Sequence, residues 1–246
     1  EAMLASPPTQ KIKYLIVTTK AYDALSAVES VQMHLAHDCE IILIQNGMGS
    51  QQAIASLLKD LAVYACSSTE GVYKQDDITL VHAGAGDNDI GALTPSANLN
   101  RLSAWLPKSK FNWQDNITPT LLRKLIVNCA INPLTVIYQC KNGDLISQTK
   151  PHEHMKRICA ELDQFCIKLG LKLTPCLAMA EAVCLSTANN YSSMYQDSKN
   201  GKQTEIEFIT GYFINQCRDQ KLQVTHNEAL LNKVRDFSLT KTDNKV

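Results

Sequence analysis

The sequence has no surplus of either charge: its 246 residues carry 24 Lys plus Arg against 24 Asp plus Glu, a formal net charge of zero. Proteins that hold nucleic acid or anionic membranes gain affinity from clustered positive charge, so this balance argues against both as partners. No apolar run approaches the ~18 residues needed to cross a bilayer. The opening Glu1-Ala-Met-Leu-Ala-Ser-Pro-Pro lacks the basic start and apolar stretch of a secretory signal, which makes a soluble, cytoplasmic protein the expectation. Pairs spaced C-x-x-C are also lacking, and the cysteines are odd in number, nine in all. Most stand among apolar neighbours, as in Val127-Asn128-Cys129-Ala130-Ile131, where the residue acts as a small hydrophobe. Reduced core thiols are therefore expected rather than a disulfide frame. His34 and His37, and His152 and His154, lie in polar stretches without a partnering Cys or carboxylate cluster, so no metal site is expected.

What is present is apolar content, 45% of residues, enough for one large core or two modest ones. The first half alternates. Residues 13–19, Lys-Tyr-Leu-Ile-Val-Thr-Thr, form a β-branched apolar run of the kind that makes a fully buried strand. A helical pattern follows with Ala24, Leu25, Val28, Val31 and Leu35 on one face, then a second strand over 40–45 ended by Asn46-Gly47. A helix over 51–58 and a strand over 61–66 complete the series. Strand, helix, strand, helix, strand signals βαβ units and a parallel sheet. Residues 78–82 and 89–93 flank a Gly-rich turn and predict an antiparallel hairpin. From Thr118 strands vanish: Thr118-Pro119 is an N-cap followed by Pro at the first helical position, opening a helix that runs through Asn132. Further helices are predicted over 151–169, 175–197, 203–219 and, in short form, 227–237, with a polar, frayed tail from Thr240. The fold class is thus α/β: a parallel-sheet domain over 1–116 followed by an all-helical domain over 117–246.

Several segments come into question as carriers of chemistry, and one of them is set aside. Gly84-Ala-Gly86-Asp-Asn-Asp-Ile-Gly91 is not a dinucleotide fingerprint, because it lies between two strand-like runs and opens no helix. Lys124, Asn128 and Asn132, spaced i, i+4, i+8, stack on one face of a helix whose neighbours Leu121, Leu125, Ile126, Val127 and Ile131 are apolar. Polar groups on such a helix cost several kcal/mol unless something polar meets them, for instance a ligand. The competing reading has Lys124 reaching solvent and the asparagines capping a loop near Pro133. Asn46, followed by Gly47 and Gly49, ends a buried parallel strand, where ligands of open α/β sheets bind. An ordinary turn explains it equally well. Lys20 stands at the same end of the preceding strand, within reach of an anionic ligand or simply of water. Tyr191-Ser192-Ser193-Met194 and Thr204-Glu205-Ile206-Glu207 place hydroxyls and carboxylates on helical segments, where caps and surface charges are the commoner use.

Five segments together carry a resemblance that spacing does not. They are Gln45-Asn-Gly-Met-Gly49, residues 123–135 (Arg-Lys-Leu-Ile-Val-Asn-Cys-Ala-Ile-Asn-Pro-Leu-Thr), Asn142-Gly-Asp-Leu145, Ser192-Ser-Met-Tyr-Gln-Asp197 and residues 204–211 (Thr-Glu-Ile-Glu-Phe-Ile-Thr-Gly). Their order resembles that of the ketopantoate reductase (2-dehydropantoate 2-reductase) family, over about residues 14–237. The resemblance implies a Rossmann-like nucleotide domain, here incomplete at its N-terminus, and a helical substrate domain. It implies NADPH-dependent reduction of 2-dehydropantoate to pantoate, a step toward coenzyme A. The family's catalytic Lys falls on Lys124. Its substrate-binding residues fall on Asn128, Asn132, Asn142 and Ser193, and its cofactor contacts on Lys20, Glu205 and, with a small gap, Val72. Asn46 matches an Asn that binds both the cofactor and the substrate. A homo-oligomer is compatible with exposed strand edges and apolar helices.

The family begins with a strand, a Gly-rich phosphate loop and a helix, and measured against it roughly 50 residues, about a βαβ unit, are missing before Glu1. The expectation is a fragment of a longer enzyme whose other motif residues are intact. The rival readings are a reductase of another 2-oxo acid and a non-catalytic scaffold made from a truncated reductase.

Overall fold

The computed structural model describes residues 10–242 except 75, 77, 85 and 172–174, with backbone alone at 72–74, 83, 108 and 238–242. The chain divides into two compact units, Glu1–Leu121 and Leu122–Val246.

In the first unit a five-stranded sheet is built from β1 (Ile12–Val17), β2 (Leu35–Leu43), β3 (Ala62–Ser68), β6 (Asn88–Ala92) and β7 (Asn112–Trp113), in that spatial order. β1, β2 and β3 are parallel, joined by α1 (Ala21–Val31) and α2 (Ser50–Leu57). Alternation along β2 sorts the core: Ile41 and Leu43 pack with Ala24, Val28 and Ile54, while Ile42 faces Tyr64, Ile90 and Leu102. The second face also buries Glu40. Its Oε2 accepts from Tyr64 Oη at 3.2 Å and from Trp105 Nε1 at 3.2 Å, with Arg101 Nε at 3.6 Å from Oε1. Burial and the neighbouring carboxylate push the Tyr64 phenol up to about 12.

Three expectations need correction here. β1, expected to be fully buried, is the sheet's edge strand: Val17 alone of its residues is buried, and Tyr14 and Ile16 are half exposed. α1 stops at Val31, a single tight turn covers Gln32–His34, and Leu35 opens β2 rather than closing the helical face. The predicted hairpin between 78–82 and 89–93 does not form. β5 (Leu80–Gly84) pairs antiparallel with β4 (Gly71–Lys74), whereas β6 pairs antiparallel with β3. The turn belongs to Asp76, whose Oδ1 accepts from the backbone of Ile78 at 3.0 Å and Thr79 at 2.8 Å. The Thr69 hydroxyl, accepting from Asp87 N at 2.8 Å, leads the returning chain onto the end of β3 instead.

The second unit has no strand among its described residues. Its helices are α4 (Thr118–Tyr138, which begins in the first unit), α5 (Asp144–Ser147), α6 (Thr149–Lys168), α7 (Cys176–Ser186), α8 (Ser193–Lys199), α9 (Tyr212–Asp219) and α10 (Thr225–Thr242). α3 (Leu99–Leu102) lies earlier, in the first unit. Although Pro133 removes one donor from the helical ladder, α4 continues past it to Tyr138 and ends with Gln139 at φ 51°. By length and composition α4 passes for a membrane span, yet most of it is buried in the protein's own core. Phe165 and Phe213 meet edge to face there at 5.3 Å. The expected single helix over 175–197 is two: the Thr187 hydroxyl folds back on Val183 O at 2.6 Å, and Ser192 caps the new helix α8. The expected helix over 203–219 begins with a π-helical turn at Glu207–Gly211 before α9. α10 outruns its predicted span and is described to Thr242; residues 243–246 of the expected tail lie outside the described residues. All nine cysteines are buried free thiols, and burial pushes Cys39 and Cys140 up to about 11 and Cys159, Cys184 and Cys217 up to about 12.

Candidate active site

Within the first unit the polar residues gather where β1 and β2 end. Gln45 is buried, and its Nε2 donates to Val17 O at 2.8 Å and to Thr19 O at 3.3 Å. Gln51 Nε2 donates to Gln45 O at 3.2 Å and Gly47 O at 3.1 Å, and Gln52 Oε1 accepts from Gly49 N at 2.8 Å. Gly47 at φ 77° and Gly49 at φ 107° adopt backbone that L side chains resist, so this tight loop needs glycine at both. Three glutamines thus fasten two strand ends to one loop. Lys20, at the N-cap of α1, and the partly buried Asn46 stand on that platform. Val72 lies in β4 opposite His82, in the segment that follows β3.

The platform also holds two buried polar atoms that no described residue satisfies: Gln45 Oε1 and Thr19 Oγ1. Both amide protons of Gln45 are committed to carbonyls, so its oxygen is left to accept from elsewhere. An orphaned carbonyl oxygen and a hydroxyl at the carboxyl ends of parallel strands fit the hydroxyl-rich sugar of a nucleotide.

Within the second unit α4 carries Lys124 and Asn128, both partly buried, and the buried Asn132 one and two turns along. Asn132 does not cap a loop at Pro133, because the helix runs on. Ser193 is exposed at the first turn of α8. Asn142 is buried against the segment between α7 and α8: its Nδ2 donates to Thr187 Oγ1 at 2.8 Å and its backbone N to Asn190 O at 3.0 Å. Its Oδ1 is buried with no partner among the described residues. The same segment stacks Tyr191 on Tyr195 at 4.7 Å, with Lys141 Nζ 5.7 Å from the Tyr191 ring. Glu205 is buried just before the π-helical turn, while Glu207 is exposed and paired with Arg235 at 2.6 and 2.7 Å. These two carboxylates, two positions apart in one motif, therefore stand in different surroundings.

The structure thus aligns Lys124, Asn128 and Asn132 on one helix, and joins Asn142 to the turn that ends in Ser193. Sequence spacing assigns no role to Gln45 at the strand ends, to Thr187 beside Asn142 or to Thr135 behind Ser192. Gly143 shows how close the second join is. A Cβ there would lie 2.8 Å from Ala188 Cβ and 3.0 Å from Ala188 O. Gly143→Ala is therefore expected to lower the unfolding free energy by about 1–3 kcal/mol, the range for overpacking, as read by urea denaturation.

Residues 1–95 match the profile of "Ketopantoate reductase PanE/ApbA" and residues 116–238 that of "Ketopantoate reductase PanE/ApbA C terminal". The chain belongs to the ketopantoate reductase PanE/ApbA family. The 2-dehydropantoate 2-reductase of Yersinia pestis is 32% identical over 229 residues, which span 90% of this chain and 73% of that protein. Among solved structures, the PanE/ApbA family ketopantoate reductase from Ralstonia eutropha JMP134 superposes with a TM-score of 0.82 at 25% identity, over 95% of this chain and 78% of that one. A D-mandelate dehydrogenase solved with NADH shares the fold, with a TM-score of 0.82 at 21% identity over 94% of this chain and 80% of that one. Membership in the family agrees with the resemblance drawn from the five sequence segments.

Proposed function

We propose that this chain reduces 2-dehydropantoate to pantoate with NADPH, Lys124 acting as general acid. The observation that carries the reading is the row of Lys124, Asn128 and Asn132 on one face of a mostly apolar helix, at the positions of the family motif. The names of the relatives support the substrate, since the Yersinia pestis protein is a 2-dehydropantoate 2-reductase. A nicotinamide nucleotide is supported by the dehydrogenase solved with NADH and by the orphaned polar atoms at the strand ends.

When bound, the reduced nicotinamide supplies a hydride for the carbonyl carbon of the 2-oxo acid. The rest of the work falls to the chain. Lys124 holds a proton against the carbonyl oxygen, stabilises the charge that grows there and gives up the proton to form the hydroxyl. Asn128 and Asn132 present carboxamides that hold the substrate's hydroxyl and carboxylate and fix its orientation. Ser193 and Asn142 add a hydroxyl and an unspent carbonyl oxygen to the same recognition. Lys20, Asn46, Val72 and Glu205 are the residues proposed to hold the nucleotide, with Asn46 also meeting the substrate.

The test is consumption of NADPH by this chain with 2-dehydropantoate, run beside pyruvate and beside NADH. Turnover selective for 2-dehydropantoate and NADPH is the expected result. Equal turnover of pyruvate would replace the substrate assignment with a general 2-oxo-acid reductase, and a folded chain that binds no nucleotide would overturn the reading.

A further inference from the structure

Thr135 makes two hydrogen bonds although it is fully buried inside α4. Its Oγ1 donates to Asn132 O at 2.7 Å and lies 2.6 Å from Ser192 Oγ. A hydroxyl has one proton to give, and Thr135 has given its own to Asn132. Ser192 is therefore the donor in the second bond, and its oxygen accepts from Tyr195 N at 3.0 Å. The directions are then fixed along the whole chain: Tyr195 N–H to Ser192, Ser192 to Thr135, Thr135 to the carbonyl of Asn132.

A buried threonine that bonds a carbonyl three residues back is common in helices and needs no functional account. The bond to Ser192 is different, since it joins residues 57 apart in sequence and ends on the N-cap of another helix. α8 has seven residues, too few to hold itself together, so its start is set by its cap and its packing. Its first residue is Ser193. Thus one hydroxyl touches the backbone of Asn132 and, through Ser192, fixes where Ser193 begins its helix. Ser192 is also buried, so water cannot take over a lost bond.

We infer that Thr135 is a positioning residue that sets the spacing between Asn132 and Ser193 through Ser192, an inference that rests on the substrate role proposed above for those two residues. The test uses the full chain with Thr135→Val, which keeps the volume and removes both bonds, and Thr135→Ser, which keeps the hydroxyl. Ser192→Ala serves as a second probe, because it cuts the link while leaving the Thr135–Asn132 bond in place. Both Thr135→Val and Ser192→Ala are expected to raise KM for 2-dehydropantoate and Kd for pantoate about tenfold, while the NADPH Kd stays within about twofold. Thr135→Ser should restore both constants, which a mere gap in packing would not predict. Adding Thr135→Val to Ser193→Ala should cost less than it does in the parent chain, since the group being placed is already gone.

Unchanged acid binding in folded Thr135→Val and Ser192→Ala, with Asn132→Ala and Ser193→Ala still impaired, would overturn the inference and leave the site reading intact. Equal losses in Thr135→Ser and Thr135→Val would overturn it too. If Asn132→Ala and Ser193→Ala bind both acids normally, the site reading fails and the inference falls with it.

Discussion

Lys124→Ala should lower kcat for 2-dehydropantoate by about 10²- to 10⁴-fold, the usual worth of a positioned general acid, with little change in the NADPH Kd. The carbonyl oxygen gains a full negative charge as the carbon accepts hydride, and Lys124→Ala removes the proton donor proposed to neutralise it. The row on α4 makes the effect specific to the acid. Asn128 and Asn132 remain to hold substrate, so the loss should fall on kcat more than on KM. Lys124→Arg sharpens the test. A guanidinium restores positive charge and binds carboxylates well, yet it does not release a proton at any working pH. KM should therefore return toward the parent value in Lys124→Arg while kcat stays low. Single-turnover measurement of nicotinamide fluorescence separates the chemical step from product release. A kcat equal to the parent's in Lys124→Ala would remove this residue from the reaction.

The elements most legible from sequence are those whose signal is local. β2 and β3 show themselves as continuous apolar runs because a parallel strand covered on both faces has no polar side to display, whereas β1 carries the same signal yet stands at the sheet edge with Tyr14 and Ile16 half exposed. The Lys124, Asn128, Asn132 row is visible because helix periodicity alone stacks it. The errors arise where a distant partner decides. Residues 88–92 alternate as a hairpin strand would, but the edge of β3 takes them, with Tyr64 opposite Ala92 and Cys66 opposite Ile90. The apolar pattern over 175–197 runs through a break that depends on Thr187 donating to Val183 O and accepting from Asn142, 45 residues earlier. Gln45 reads as a strand terminus, and nothing local shows that its amide reaches carbonyls 28 and 26 residues earlier. The candidate site residues follow local rules or family motifs, while those that place them depend on contacts no short window contains.

Glu161→Ala should reduce stability by about 3–5 kcal/mol, a loss as large for the fold as Lys124→Ala is for the reaction. Glu161 is buried on α6, and its carboxylate closes the first turn of α10, 65 residues on. Oε1 accepts from His226 N at 2.8 Å, and Oε2 accepts from Asn227 N at 2.9 Å and Asn227 Nδ2 at 2.7 Å. The opening N–H groups of a helix have no partner within it, and a carboxylate there also meets the positive end of the helix dipole. Alanine leaves three donors without an acceptor, two of them on the fully buried Asn227, at about 1–3 kcal/mol each and less than additively. Glutamine should recover little: one carbonyl oxygen cannot serve both bonding sites, and its amide protons would face the donors it must satisfy. Aspartate has the charge but is one methylene short. In a chain of this size the loss corresponds to a fall in Tm on the order of 10 °C, checked by thermal unfolding alongside urea titration. Where Glu161→Ala is still folded at low temperature its KM for 2-dehydropantoate should match the parent's, because the carboxylate holds α6 to α10 and carries no part of the acid's recognition. A Glu161→Ala protein as stable as the parent would mean that water enters and caps α10 in place of the lost carboxylate.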